Sequence, residues 1–132
     1  MLARVGKSML GEFEVWCHLN PDLAPSWFKN RKERTMQANE YQKAVQQFAV
    51  YPKVTELDYL TLGLTAEAGE VADKLAKSYR GDSALDIDGM IKELGDCLWF
   101  IAQLCTYFNV PMEAVMQENI EKLADRQARN KL

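Results

Sequence analysis

The chain has 132 residues, 48% of them hydrophobic, and a net charge of −3, which is the length of one domain and an ordinary globular composition. Residues 36–132 carry ten Lys/Arg against fifteen Asp/Glu, and so acidic a body argues against a nucleic-acid duplex as partner. No apolar run is long enough to span a membrane, and the N-terminus lacks the apolar stretch of a signal peptide.

Residues 1–35 read as an N-terminal extension of unknown role, and 36–132 as the main domain. Asn20-Pro21 and Ala24-Pro25 break any long helix in the extension. Trp16, Trp27 and Phe28 offer apolar surface to pack on the main domain, and Lys29, Arg31, Lys32 and Arg34 form a short basic cluster, a phosphate attractor or a solvated linker. Met36 could start a shorter product. Cys17-His18 is a poor metal site, because His18 is the single histidine and no second Cys/His cluster accompanies it. Three cysteines, two of them on one predicted helix, fit reduced thiols in a cytoplasm better than a disulfide framework.

Four helices follow. The first runs from Met36 to Val50 with Tyr41, Val45 and Phe48 as its apolar side, and Pro52 stops it. Thr55 resembles an N-cap, with Asp58 three residues on in a variant capping box. The second helix then covers Glu56 to Arg80, with Gly81 as its C′ residue. After an acidic loop the third spans Ile87 to Phe108 and ends at Asn109. Pro111 opens the fourth, which reaches Arg129. No strand pattern or internal repeat appears. Short connections between helices suit antiparallel neighbours, so the expected architecture is an all-α, four-helix antiparallel bundle.

Four carboxylates stand out, Glu67 with Glu70 on the second helix and Glu93 with Asp96 on the third. Residues three apart on a helix are neighbours, roughly 5–6 Å between Cβ atoms, so each pair can aim at one point. Antiparallel packing would bring all four together. Glu67 lies on the apolar stripe Leu60, Leu64, Val71 and Leu75, an odd place for surface charge. Glu93 and Asp96 flank the stripe Ile87, Ile91, Leu94, Leu98, Ile101 and Leu104, which is expected to be buried. Gly69 and Gly95 sit beside the carboxylates, each costing about 1 kcal/mol of helix propensity relative to Ala, and would let a backbone or ligand come close.

Four negative charges at short range need cations among them, and oxygen-only ligands suit hard ions, Mg²⁺ or Mn²⁺. Metal-assisted phosphoryl or nucleotidyl transfer is the chemistry this favours. A di-iron bundle would need Glu-x-x-His motifs, which are absent. A non-catalytic helical binding or regulatory module is the other reading, with the carboxylates as surface charge. Lys74, Lys77 and Arg80 follow Glu70 at helical spacing, and Asn119, Lys122 and Arg126 recur at i, i+3, i+7 on the last helix. Either set could meet phosphate oxygens or form a solvated face.

The segments GLTAEAGEVADKLAKSYRG (63–81), IKELGDCLWFIAQLC (91–105) and NIEKLADR (119–126) resemble the MazG-like nucleotide pyrophosphohydrolases of the all-α NTP pyrophosphatase superfamily. NEYQKAVQQFAVYP (39–52) matches that domain's opening helix, so the resemblance covers roughly 39–130. It implies hydrolysis of a nucleoside triphosphate, a dNTP by preference, to the monophosphate and pyrophosphate with Mg²⁺ or Mn²⁺, for nucleotide-pool control. It implies Glu67, Glu70, Glu93 and Asp96 as metal ligands and catalytic carboxylates, with water attacking the α-phosphorus. Lys74, Lys77, Asn119, Lys122 and Arg126 would contact phosphates. Asn39, Gln42, Gln46 and Trp99 are weaker candidates for base or sugar contacts, and Trp99 also reads as core. A homodimer or homotetramer with shared sites is implied, in the cytoplasm of a bacterium or a phage-infected host. Substrates in such proteins range from broad triphosphate clearance to one deoxynucleotide, including dGTP-directed forms. A dUTPase-like relative with pyrimidine preference is the nearest enzyme alternative.

Overall fold

The computed structural model describes residues 9–24 and 36–131. The basic cluster Lys29, Arg31, Lys32 and Arg34, and with it Trp27 and Phe28, lies outside the described residues. The regular elements are helical: α1 (Met9–Leu19), α2 (Ala38–Ala44), α3 (Glu56–Arg80), α4 (Ile87–Tyr107) and α5 (Met112–Ala128). In α1, Trp16 stacks on Phe13 with ring centroids 6.2 Å apart, Cys17 is buried, and the helix ends just before Asn20-Pro21.

The expected helix boundaries in the main domain hold to within a residue or two, except in the first. There the α-helix covers only Ala38–Ala44 and tightens into a 3₁₀ turn over Val45–Phe48. Pro52 forces a change of direction within a few residues, and a tighter turn is the usual way to end a helix quickly. Gln46 Nε2 and Gln47 Nε2 donate back to the carbonyls of Gln42 (2.8 Å) and Ala44 (3.0 Å), satisfying acceptors the helix leaves free.

α3 carries Glu56 and Asp58 in its first turn and Lys77 and Arg80 in its last, in the sense that complements the helix dipole. Gly81 ends it in the left-handed region at φ 79°, and Asp82 N–H bonds back to Lys77 O at 3.0 Å in a Schellman arrangement. Thr55 occupies the N-cap position but its side chain makes no cap bond. The preceding 3₁₀ turn (Lys53–Thr55) leaves Thr55 at ψ 24°, away from the extended backbone that side-chain capping needs. Asp86 caps α4 instead, its Oδ1 accepting from Gly89 N–H at 2.8 Å. Asn109, at φ 55°, turns the chain out of α4 as expected.

α3 and α4 form the main packed pair. They run antiparallel: Gly63 meets Phe100, Glu67 meets Glu93 and Asp96, and Lys74 meets Glu93 and Asp86. A Cβ on Gly63 would lie 2.2 Å from Phe100 Cε1, so the ring rests directly on the α3 backbone. Phe100, Leu60 and Tyr51 form one buried cluster; Val45, Ala102, Cys105 and Met112 form another; Trp99 packs against both. Gln103 is buried between them, donating to Val45 O at 3.2 Å while its Oε1 lies 3.5 Å from the Tyr51 hydroxyl.

The buried face of α4 differs from the expected one. Phe100, Ala102, Gln103 and Cys105 are buried, whereas Leu94 and Leu98 keep 50% and 49% exposure. The α3 and α2 contacts use one side of α4, and no described element covers the other. α5 packs on α2 and, beyond Met112 in the second buried cluster, has little contact with α3 or α4. Its first N–H groups have no cap from the preceding Pro111. They are satisfied by α2: Met112 N–H donates to Gln42 Oε1 (2.8 Å), and Glu113 N–H to Asn39 Oδ1 (3.1 Å), with Asn39 N–H returning a bond to Glu113 Oε1 (3.1 Å).

Two glycines separate packing from helix propensity. Gly63→Ala is expected to lower unfolding free energy by about 1–3 kcal/mol through overpacking against Phe100. Gly69→Ala meets open space and is expected to raise it by up to about 1 kcal/mol through helix propensity. Urea melts of the two variants beside the parent chain check both signs.

Candidate active site

The antiparallel α3/α4 register carries Glu67 opposite Glu93 and Asp96. Each of these three offers a carboxylate oxygen, and the three atoms lie within 4.8 Å of one another. Glu67 and Glu93 are half-buried and Asp96 is exposed. Glu70 does not join that group. It sits about one turn along α3 with its side chain exposed at the rim, though its charge is felt at Glu67. The sequence spacing predicts four converging carboxylates; the structure gathers three, because a long glutamate at a solvent-facing position is not obliged to turn inward.

Burial pushes the Glu67 carboxyl above its ordinary range, and the charges of Asp96, Glu93 and Glu70 push it further the same way. Cys97 beside Asp96 responds alike, first through burial and then through Glu67, Asp96 and Glu93. From α2, Tyr41 reaches the neighbourhood of Asp96: burial and then that charge raise its phenol. Tyr41 reads in the sequence as an apolar α2 position, and only the tertiary crossing of α2 over α4 brings its hydroxyl toward the acids.

Lys74 Nζ lies 3.4 Å from Glu93 Oε1 and 3.9 Å from Asp86 Oδ2. The other α3 cations pair outward, Lys77 with Asp73 at 2.5 Å and Arg80 with Asp82 at 2.9 Å. Asn119, Lys122 and Arg126 are exposed on α5, and among the described residues none of them forms an ion pair with the trio. Trp99 meets Tyr51 and Phe100 edge-on, at centroid separations of 6.0 and 4.9 Å, so its ring belongs to the packing between the two clusters.

Asn39, Gln42 and Gln46 line a cleft of about 490 Å³ with Lys43, Thr106, Asn109, Val110 and Pro111. Their amides are largely engaged in holding α2 to the α4–α5 turn. Gln42 Nε2 donates to Val110 O (2.9 Å) and to Thr106 Oγ1 (3.3 Å), and Gln46 Nε2 to Thr106 Oγ1 (3.0 Å). A structural capping role is thus visible for two residues, Asn39 and Gln42, whose sequence positions suggest base or sugar contacts.

Gly69 and Gly95 leave open space: a Cβ at either would meet nothing within 4 Å. Packing among the described residues does not require them. An all-oxygen donor set at this spacing fits a hard divalent cation such as Mg²⁺ or Mn²⁺. Among the described residues no helix is long and apolar enough to cross a membrane.

The sequence pattern of the MazG nucleotide pyrophosphohydrolase domain matches residues 55–129, a span that holds all four carboxylates. The "Gene 37 protein" of Mycobacterium phage L5 is 36% identical over 104 residues, covering 71% of this chain and 91% of the phage protein. No solved structure matches the chain. The helical fold, the carboxylates crossing between α3 and α4, and these two similarities agree, and the chain belongs to the MazG nucleotide pyrophosphohydrolase domain family.

Proposed function

We propose that this chain is a Mg²⁺- or Mn²⁺-dependent hydrolase that splits nucleoside triphosphates, deoxynucleotides above all, into monophosphate and pyrophosphate. The observation that carries the reading is the convergence of Glu67, Glu93 and Asp96 from two antiparallel helices in a chain of this family. Glu67, Glu93 and Asp96 would hold the divalent ion, with Glu70 joining from the rim. The ion supplies charge neutralisation for the polyphosphate and a lowered pKa for water. One of these carboxylates would take the proton from the attacking water. Attack at the α-phosphorus breaks the bond to the bridging oxygen, and pyrophosphate leaves with the electron pair. Lys74 and Lys77 on α3 would meet phosphate oxygens.

The α5 side chains bear on assembly. Val115, Met116, Ile120 and Leu123 form an exposed apolar stripe, with Ile120 at 59% exposure, and Leu94 and Leu98 add a second uncovered patch on α4. In a homodimer or homotetramer these faces would be covered. Asn119, Lys122 and Arg126, on the same helix, would then be carried toward a neighbouring subunit's carboxylates. A deoxynucleotide-pool role in a bacterial or phage-infected cytoplasm suits the phage relative.

Product analysis on a panel of ribo- and deoxynucleoside triphosphates is expected to give monophosphate plus pyrophosphate with Mg²⁺ and nothing with EDTA. Glu93→Gln should lower turnover by on the order of a hundredfold or more. Diphosphate plus phosphate as products would move the attack to the γ-phosphorus and contradict the reading. Sedimentation of Ile120→Asp should show a smaller species than the parent chain, with helicity kept and turnover reduced. An unchanged mass would contradict the α5 interface.

The raised carboxyl of Glu67 gives a stability signature. A carboxyl that binds its proton more tightly when folded makes the folded state lose stability as pH rises from the unfolded pKa through the folded one. Thermal melts in EDTA should therefore show Glu67→Gln more stable than the parent at neutral pH. The difference should shrink as pH falls into the carboxylate range. A variant less stable than the parent at neutral pH would contradict this.

A further inference from the structure

Lys74 is placed unlike the other cations of α3. It shares a helix face with Glu67 and Glu70 at spacings of seven and four, and its ammonium reaches across to Glu93 on α4, 3.4 Å away. Its side chain keeps 23% exposure and that of Glu93 18%, so water screens this pair less than it screens Lys77–Asp73 at 45% and 36%. Asp86, 3.9 Å from the same ammonium, is held by its cap bond to Gly89 N–H and steadies the lysine from the other side. Among the described residues, the ion pair reaching the trio is this one.

We propose that Lys74 is the resident counter-cation of the carboxylate trio, holding Glu93 until a divalent cation displaces it toward the phosphate of the substrate. The inference rests on the trio being the metal site. Glu93 cannot give its charge fully to both partners. An ammonium beside a doubly charged ion is repelled about twice as strongly as a single carboxylate at equal range attracts it. Lysine suits such an exchange, because its charge rides on a flexible four-carbon stem with three donors. Once displaced, Lys74 remains on the face of α3 that carries Glu67 and Glu70, where a polyphosphate held by the ion offers oxygens. Metal and polyphosphate then help each other bind, since each favours the same lysine position. Lys74 would be a positioning residue for the ion before it is a contact for the phosphate.

The test is calorimetric titration of the nucleotide-free protein with MnCl₂, followed by a repeat with a non-hydrolysable triphosphate analogue. Lys74→Met should bind Mn²⁺ about tenfold more tightly than the parent, because its competitor is gone, while melting at a lower temperature in EDTA. Lys74→Arg, which keeps the charge, should stay close to the parent. Lys77→Met, which removes a charge one turn away that is paired with Asp73, should change the affinity by less than about twofold. The analogue should tighten Mn²⁺ binding more in the parent than in Lys74→Met. Equal or weaker Mn²⁺ binding by Lys74→Met overturns the proposal, as does an equal gain in Lys77→Met. Glu93→Gln separates the two levels of inference. If it leaves Mn²⁺ binding intact, the metal-site reading fails; if it abolishes binding while Lys74→Met changes nothing, only the lysine's role fails.

Discussion

The contact between Phe100 and the bare backbone at Gly63 sets the register of the whole helical pair. An aromatic ring seated where a side chain should be fixes how close α3 and α4 run and which turns face each other. One turn further along α3 comes Glu67, and one turn back along α4 come Asp96 and then Glu93. Two more turns bring Lys74 level with Glu93 and Asp86. Slip α4 by one residue and its side chains turn by about 100° around its axis, carrying Glu93 and Asp96 away from Glu67. Packing chemistry at one end of the pair is thereby converted into charge geometry at the other.

That geometry opposes stability in the protein by itself. Burial, and then the charges of the neighbouring carboxylates, raise the cost of ionising Glu67, and a single partly buried lysine, paired with Glu93, lies against the group. The apolar clusters that must carry the load are small and both lean on Trp99. Gln103 spends a buried position on hydrogen bonds to Val45 and Tyr51 rather than on apolar contact. A chain with modest buried clusters, concentrated acid charge and uncovered apolar stripes on α4 and α5 has reason to gain stability from what binds it.

Much of this is legible in the sequence, for definite reasons. Pro52, Gly81, Asn109 and Pro111 act locally, through backbone conformations that depend on few neighbours: Gly81 and Asn109 end α3 and α4 where expected, Pro52 follows the first helix and Pro111 precedes α5. The i, i+3 spacing of the acids is likewise a property of one helix at a time. What sequence periodicity cannot supply is which stripe of a helix finds a partner. Leu94 and Leu98 look as apolar as Phe100, yet only the crossing of α2 and α3 over α4 decides that the latter is buried. Glu70 has the same spacing credentials as Glu93 and remains at the rim. Asn39 and Gln42 have the residue types of ligand contacts, and cap a helix 74 and 70 residues away in sequence. Tyr41 and Lys74 owe their placement by the acids to partners on other helices.

The capping of α5 by α2 has a consequence for where the folding unit begins. The family pattern starts at residue 55, downstream of α2. Yet the first turn of α5, well inside that pattern, is closed by Asn39 and Gln42 from outside it. Hydrogen bonds tie the start of α5 to α2, so the first-turn amides of α5 should exchange with solvent together with those of α2. Sequence similarity and foldability therefore draw different borders around this domain. Cutting at the similarity border would leave α5 with orphaned donors at its start and Cys105, Met112 and Ala102 without Val45 to cover them.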